Sequence, residues 1–495
     1  MVFKYSFKNI LLTLLIVIVY STTAYFSSGY HFADEHYQII EFANYKLGNI
    51  ESNQLAWEFN AKLRSSIQPW LTVVLIKTME NIGVVNHYTQ MFLLRLLTAF
   101  LSLFSIYLLY IALIKRKIID ENYAHLFLPL IFLLWFLPYI SVRYSSETFS
   151  ASFFIIAISL YLKKEKLSNI NYLIIGLFLG LAFVFRFQSG VLIFSLIIWL
   201  LFTEKQKITK LFTVFFGFIG VIVFSSYLDY LFYNSISFPV INYFKFNILQ
   251  SGASEFGTSP WWMFIKFFYK YPTYPLGFLI VVSLIYFIVR YPKNLITFLI
   301  VPFILIHTII PHKELRFLFP IAYFAPIIIF VFVIDVYKFI KDKNTIYKYI
   351  LYAYIMVLLV INTVGLVVIG LKSTEIGRQE ITKYIYDNYK GNVNIIAKDW
   401  YNPYNPFGLP MTYYITDNLS FKRIEADTPI NKSLYKSDCK NLLLVDRGYY
   451  NKNKALLEKK GFVLKKKGVP NWVMFFNKFQ KGIDNNKVIY LLEHK

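Results

Sequence analysis

Apolar runs recur from residue 9 to residue 371, separated by short polar turns and by two longer loops, 28–87 and 231–271. Each run is close to the roughly 20 residues that cross a bilayer core. The pattern predicts about eleven transmembrane helices, at 9–27, 88–114, 124–142, 146–162, 169–185, 190–203, 211–230, 272–290, 294–311, 316–337 and 349–371. Stretch 190–203 is short for a full crossing and fits a re-entrant segment as well. After Leu371 the pattern changes. Residues 372–495 are rich in Lys, Asn and Tyr and hold no run of spanning length. Short apolar runs at Asn394–Ile396, Leu442–Val445, Phe462–Leu464, Trp472–Phe476 and Val488–Leu492 read as strands, and Glu375–Tyr389 as a helix. The expected architecture is a polytopic α-helical membrane domain, 1–371, and a small extramembrane α/β domain, 372–495.

Composition agrees: 57% of the chain is hydrophobic and 16% charged, against roughly 25% charged in soluble domains. The net charge of +23 would suggest a nucleic-acid partner in a soluble protein. Here the cations gather at the ends of spans, as orientation signals do, and no nucleic acid is expected. Lys4 and Lys8, Lys115 to Lys117, Lys163 to Lys166, Lys205 to Lys210, Arg290 with Lys293, and Lys338 to Lys348 fall on one side if the N-terminus is cytoplasmic. The other side then receives the loop 28–87, the tips 143–146, 186–189 and 312–316, the loop 231–271 and the C-terminal domain. The single cysteine, Cys439, excludes an internal disulfide and a cysteine-based metal cluster. The first span shows no small-residue cleavage site and reads as a retained anchor. Heavy use of Ile, Lys, Asn, Tyr and Phe with short loops points to an AT-rich genome and a bacterial inner membrane over an endoplasmic reticulum. The sequons at Asn418 and Asn431 matter only in the latter.

The unusual polar residues collect on that outer side. "HFADEHYQII", residues 31–40, places an acid pair, Asp34 and Glu35, directly after the first span. Asp34 is positioned to cap a helix running from Glu35 to Leu47 with Gly48 as its stop, and Asp34, Gln38 and Glu41 would share one face. Capping alone satisfies the physics; a general base at the membrane interface is the other reading. A zinc site is disfavoured because His31 and His36, five apart, would not share a helix face. "LAWEFNAKLRSSIQPW", residues 55–70, carries Trp57 as an interface anchor and the charges Glu58 and Arg64, either an ion pair or a wall of a polar pocket. "PHKELRFLFP", residues 311–320, crowds His312, Lys313 and Arg316 on the outer face, against the cytoplasmic preference of cations. Pairing with Glu314 is one explanation and a bound phosphate the other. Arg143 with Glu147, and Arg186 with Gln188, mark two further tips. Asp229 opens the loop that "GTSPWWMF" closes.

Taken in order, the acid pair, Trp-Glu with Leu-Arg-Ser and Pro, Asp-x-x-x-Tyr, and His-Lys-Glu-x-Arg-Phe resemble the family 22 glycosyltransferases, over roughly residues 5–340. These include mannosyltransferases of glycosylphosphatidylinositol anchors and of lipid-linked oligosaccharides. The resemblance implies a C-type membrane glycosyltransferase fold and inverting transfer without metal or other cofactor. The donor it implies is a sugar on a polyprenyl phosphate, typically dolichyl-phosphate mannose, and the acceptor a glycolipid or lipid-linked glycan. It places the base at Asp34 or Glu35 and donor-phosphate binding at His312, Lys313 and Arg316. The substrate pocket would draw on Gln38, Trp57, Glu58, Arg64, Arg143, Glu147, Arg186 and Gln188. The family reads His-Pro-Asp-Glu at the acids, whereas here Phe32 and Ala33 precede them and His31 is displaced by one. The rival class is a transporter or flippase of lipid-linked saccharides. Against it, the charges gather at one face and the halves show no repeat.

Overall fold

Helices follow one another from Phe7 to Gly370, and a sheet appears only after them. The computed structural model describes residues 7–163, 166–374, 376–406, 408–425, 430, 432–480 and 484–495; Lys4, Lys164, Glu375 and Asn431, used above, lie outside them. Asn9–Phe26, His87–Lys115, Ile208–Tyr233 and Thr345–Gly370 are each long and apolar enough to cross a membrane. Two bent pairs, Tyr274–Arg290 with Leu295–Ile309 at 119° and Leu315–Ala322 with Ala325–Ile340 at 60°, bring the number to six among the described residues if each pair is one span. The chain is a membrane protein with several apolar helices, and fewer of its helices are of spanning length than the eleven expected.

Two expected helices, 124–142 and 316–337, are interrupted, and one rule explains both. A proline has no N–H, and its ring clashes with the carbonyl four residues back. Pro138 therefore cannot continue a helix through Leu134, where the chain turns extended between Ala124–Leu133 and Phe136–Ser141. Pro326, at the start of Ala325–Ile340, acts in the same way on Ala322, where the preceding helix ends. The first break frees backbone groups at a buried position. Asn362 satisfies them from mid-helix in Thr345–Gly370: its Oδ1 accepts from Trp135 N at 2.8 Å and its Nδ2 donates to Leu133 O at 2.8 Å.

The described chain divides into two compact units. The first, Met1–Thr23, Ala61–Gln68 and Arg95–Gly370, is the helical one. A close helix contact pairs Asn169–Phe185 with Ile208–Tyr233, where a Cβ on Gly176 would meet Val214 O at 2.0 Å and one on Gly217 would meet Leu173 O at 2.3 Å. Small residues let backbones approach where lipid supplies no hydrophobic drive between helices.

The second unit comprises Ala24–Asn60, Pro69–Leu94 and Leu371–Lys495, so it groups the first loop with the residues beyond the boundary drawn at 371/372. Its sheet has the order β2-β1-β3-β5-β4, with β1 Val393–Ala397, β2 Leu419–Arg423, β3 Lys440–Asp446, β4 Phe462–Lys467 and β5 Ile489–His494. β1 pairs in parallel with β2 and β3, while β5 runs antiparallel to β3 and β4. Ile396, Leu443, Val445, Tyr490 and Leu492 lie in its core. Four strands fall where apolar runs stand. β2, "LSFKR", is a polar edge strand without such a run and was not anticipated. Trp472–Phe476 is not a strand but part of helix Asn471–Gln480: Val473 and Met474 are buried while Trp472, Phe475 and Phe476 are exposed, a one-sided pattern that no two-fold alternation produces. The expected helix at 375–389 runs from Arg378 to Asn388.

Candidate active site

The acid pair sits where a tight entry delivers it. Gly29 adopts φ +89° and lies so close to Thr374 that a Cβ would meet its Oγ1 at 2.3 Å. Thr374 N donates to Ser28 O at 2.8 Å, pinning the entry. The carbonyl of Ala33 then accepts from His36 N and Tyr37 N, so Asp34 lies inside the first helical turn and is not the cap the sequence suggested. Asp34 is half-buried and Glu35 buried.

The expected regular helix from 35 to 47 is also modified. His36–Ile40 forms a π turn, closed by Glu41 N–H on His36 O, before α-helix resumes at Glu41–Lys46. In an α-helix, residues five apart point about 140° from each other. The wider turn superposes them, and His36 Nε2 meets Glu41 Oε1 at 2.7 Å. Glu41, 1% exposed, also accepts from Thr412 Oγ1 and, at 3.1 Å, from Tyr413 N. Gln38 Nε2 instead donates to Glu58 Oε1 at 2.9 Å. The single polar face expected for Asp34, Gln38 and Glu41 is thereby split. Trp57 opens the short helix Trp57–Asn60 and is 45% exposed.

In the helical unit, residues 61–66 are fastened by helix Ile208–Tyr233 and the loop after it. Asp229 Oδ1 accepts from Ser66 N at 2.6 Å and Ser66 Oγ at 2.7 Å. One turn on, Tyr233 OH donates to Arg64 O at 2.7 Å. Asp-x-x-x-Tyr thus places two anchors on one helix face, and both hold the Leu-Arg-Ser segment. The Arg64 guanidinium lies 5.5 Å from the centre of the Tyr243 ring.

The basic turn belongs to a buried ionic cluster. Glu147 Oε1 lies 3.3 Å from Arg186 Nη2 and 3.7 Å from Arg316 Nε. Arg186 Nε donates to Gln188 Oε1 at 2.6 Å. Glu314 joins the turn together, accepting from Arg316 Nε and lying 2.9 Å from His312 Nε2. Lys313 Nζ donates to Ser259 O at 3.2 Å and Ile310 O at 2.7 Å, and burial pushes its ammonium below the usual lysine range. Arg186, Arg316 and Lys313 outnumber Glu147 and Glu314 by one charge before His312 is counted. Arg143 is fully buried, its guanidinium 5.0 Å from the Tyr139 ring centre.

Each unit thus gathers part of the expected set: Gln38 with Glu58 in one, and Glu147, Arg186, Gln188, His312 and Arg316 in the other. Glu41 and Glu314 were absent from that set. The residues 10–403, which contain both the acid pair and the basic turn, match the model of the Alg9-like mannosyltransferase family. The chain belongs to this family. It is 25% identical to GPI mannosyltransferase 3 of Candida albicans over 289 residues, 58% of this chain and 57% of that one. It is 25% identical to GPI alpha-1,2-mannosyltransferase 3 of Homo sapiens over 304 residues, 59% of this chain and 52% of that one. The chain therefore spans little more than half the length of these relatives. Its fold is that of ArnT from Cupriavidus metallidurans, crystallised with undecaprenyl phosphate, with a TM-score of 0.59 at 11% identity over 99% of this chain and 98% of that one. The family relationship and the ArnT fold accord with the resemblance read from the motifs.

Proposed function

We propose that the protein is an inverting glycosyltransferase that moves mannose from a polyprenyl phosphate to a glycolipid or lipid-linked acceptor at the extracytoplasmic face. The observation that carries this reading is the family match over residues 10–403, which spans both the acid pair and the basic turn. In the reaction the acceptor oxygen forms a bond to the anomeric carbon as the bond from that carbon to the phosphate oxygen breaks. The electron pair leaves with the phosphate, and configuration inverts. Asp34, with Glu35 beside it, takes the proton of the acceptor hydroxyl, a role worth roughly 10²–10⁴-fold. His312, Lys313 and Arg316 stabilise the negative charge that grows on the departing phosphate. Glu314 and Glu147 hold the Arg316 guanidinium until a phosphate competes for it, and a fork of donors suits either partner. Asp229, through Ser66, and Tyr233, through the Arg64 carbonyl, act on substrate only by holding the segment that carries Arg64, as positioning residues.

The test supplies the purified protein with radiolabelled polyprenyl-phosphate mannose and glycolipid acceptors, comparing the native chain with Asp34→Asn. Transfer should fall by about 10²–10⁴-fold in the variant. Undiminished transfer removes Asp34 from the base role, and labelled lipid that crosses a bilayer without transfer would favour the flippase class.

A further inference from the structure

The second unit contains a half-open cavity of about 240 Å³ that none of the roles above uses. Tyr386, Tyr389, Tyr404, Tyr414, Lys390 and Asn418 contribute to its wall. Four tyrosines around one small space supply flat apolar faces with hydroxyls at their edges. A lining of this kind is uncommon in a packed core, where a buried phenol finds a partner.

Three of the tyrosines are committed. Tyr389 OH donates to Glu493 Oε2 at 3.1 Å, Tyr414 OH accepts from Gln379 Nε2, and Tyr386 packs against Tyr88 with ring centres 5.3 Å apart. Tyr404 differs. It is 1% exposed, and its backbone is held by Asn402 and Met411, but its hydroxyl has no hydrogen bond among the described residues. Tyr404 belongs to the cavity wall, and its hydroxyl is therefore uncommitted and available to a guest that can hydrogen-bond to it.

The chemistry of the wall narrows the guest. A phosphate would want a fork of cations; the cavity offers Lys390, whose ammonium already donates to Tyr386 O at 2.7 Å. A lipid tail would want an unbroken apolar lining, but Asn418, Thr416 and the phenols interrupt it. A sugar ring meets both demands, with C–H faces for the aromatic planes and hydroxyls for Tyr404 and Asn418. The volume lies below the roughly 300–1,000 Å³ of drug-sized sites and suits one ring.

The wall is also tied to the helix of the acid pair. Tyr414 stacks on His36 at 5.4 Å and 15° and on Tyr88 at 5.0 Å and 26°. His36 is two residues from Asp34. We propose that this cavity is a saccharide-binding subsite that holds a ring of the acceptor glycan. The sugar preference stands on the wall itself, while the assignment to the acceptor rests on the glycosyltransferase reading.

The test places the full-length protein in lipid nanodiscs without sugar-headed detergent. Saturation-transfer NMR and titration then use methyl α-mannoside, a mannose disaccharide and N-acetylglucosamine as probes. The native protein should bind at least one of them. Tyr404→Phe, which keeps the ring and its packing, should weaken binding about 2- to 10-fold at an unchanged melting temperature, and Tyr386→Ala should weaken it further. Asp34→Asn should bind as the native chain does. Absence of binding to the native protein, or equal affinity in the native and cavity variants, overturns the subsite. A native protein that binds sugar through Tyr404 but transfers no label leaves the subsite standing and removes the transferase reading. Normal transfer with sugar binding indifferent to Tyr404 does the reverse.

Discussion

At the scale of single residues, the buried carboxylates organise the basic groups. Glu147, 3% exposed, stands between Arg186 and Arg316. Removing one partner of a buried ionic set leaves uncompensated charge and costs about 3–5 kcal/mol. Glu147→Gln preserves shape and should lower the melting temperature of the detergent-solubilised protein accordingly, with loss of transfer. An unchanged melting temperature would mean the guanidiniums are held by other partners. The acid pair, the basic turn and the two tip motifs were legible as residue types out of place for a greasy chain. The His36–Glu41 contact was not, because it depends on a π turn that places residues five apart on one face. Asp229 and Tyr233 were readable as an i, i+4 pair, but their shared target, the Arg64 to Ser66 segment, lies more than 160 residues away in sequence.

At the scale of elements, apolar run length located the helices but not the two breaks that Pro138 and Pro326 accompany. What repairs a break comes from elsewhere. Asn362→Leu should leave Trp135 N and Leu133 O unpaired at a buried site and destabilise the helical unit by roughly 1–3 kcal/mol per group, read as thermal unfolding in detergent. If stability is retained, the break is satisfied in another way. The sheet carries a pH dependence of its own. Burial alone would raise the Glu493 carboxyl on β5; hydrogen bonds from Lys465, Tyr389 and Lys440, with the Lys465 charge, outweigh it and hold it below the usual range. A lowered folded value means the contribution is complete above the unfolded value, near 4.5, and is lost as pH falls through the folded one. Amide protection factors across β5, taken relative to the intrinsic exchange rate at each pH, should therefore fall on acidification below that range, and Glu493→Gln should flatten the response. Strand β2 shows the limit of pattern reading: an edge strand buries little, so its sequence records little of its pairing.

At the scale of the whole molecule, cation placement predicts which side each segment faces. Cys439, the sole cysteine, is half-buried beside β3 and serves as a native reporter. In intact cells a membrane-impermeant maleimide should label it, since the C-terminal sheet is expected outside; labelling only after lysis would invert the orientation. Run length marks how apolar a segment is and not how far its helix continues, so it did not show the breaks inside 124–142 and 316–337. Pro138 and Pro326 shorten helices whose composition alone is sufficient to span.

By itself the sequence determined that the chain enters a membrane, where most helices lie, that a small α/β segment follows, and which rare charges stand out from the apolar background. Those are local properties, set by run length, periodicity and residue type within a few turns of chain. Only the tertiary structure decided the partners: Glu41 with His36 and Thr412, Glu147 with two arginines, Asn362 with a broken helix, and four tyrosines around one cavity. Such pairings depend on where distant segments meet, and neither hydropathy nor spacing along the chain encodes that meeting in a form that can be read one stretch at a time.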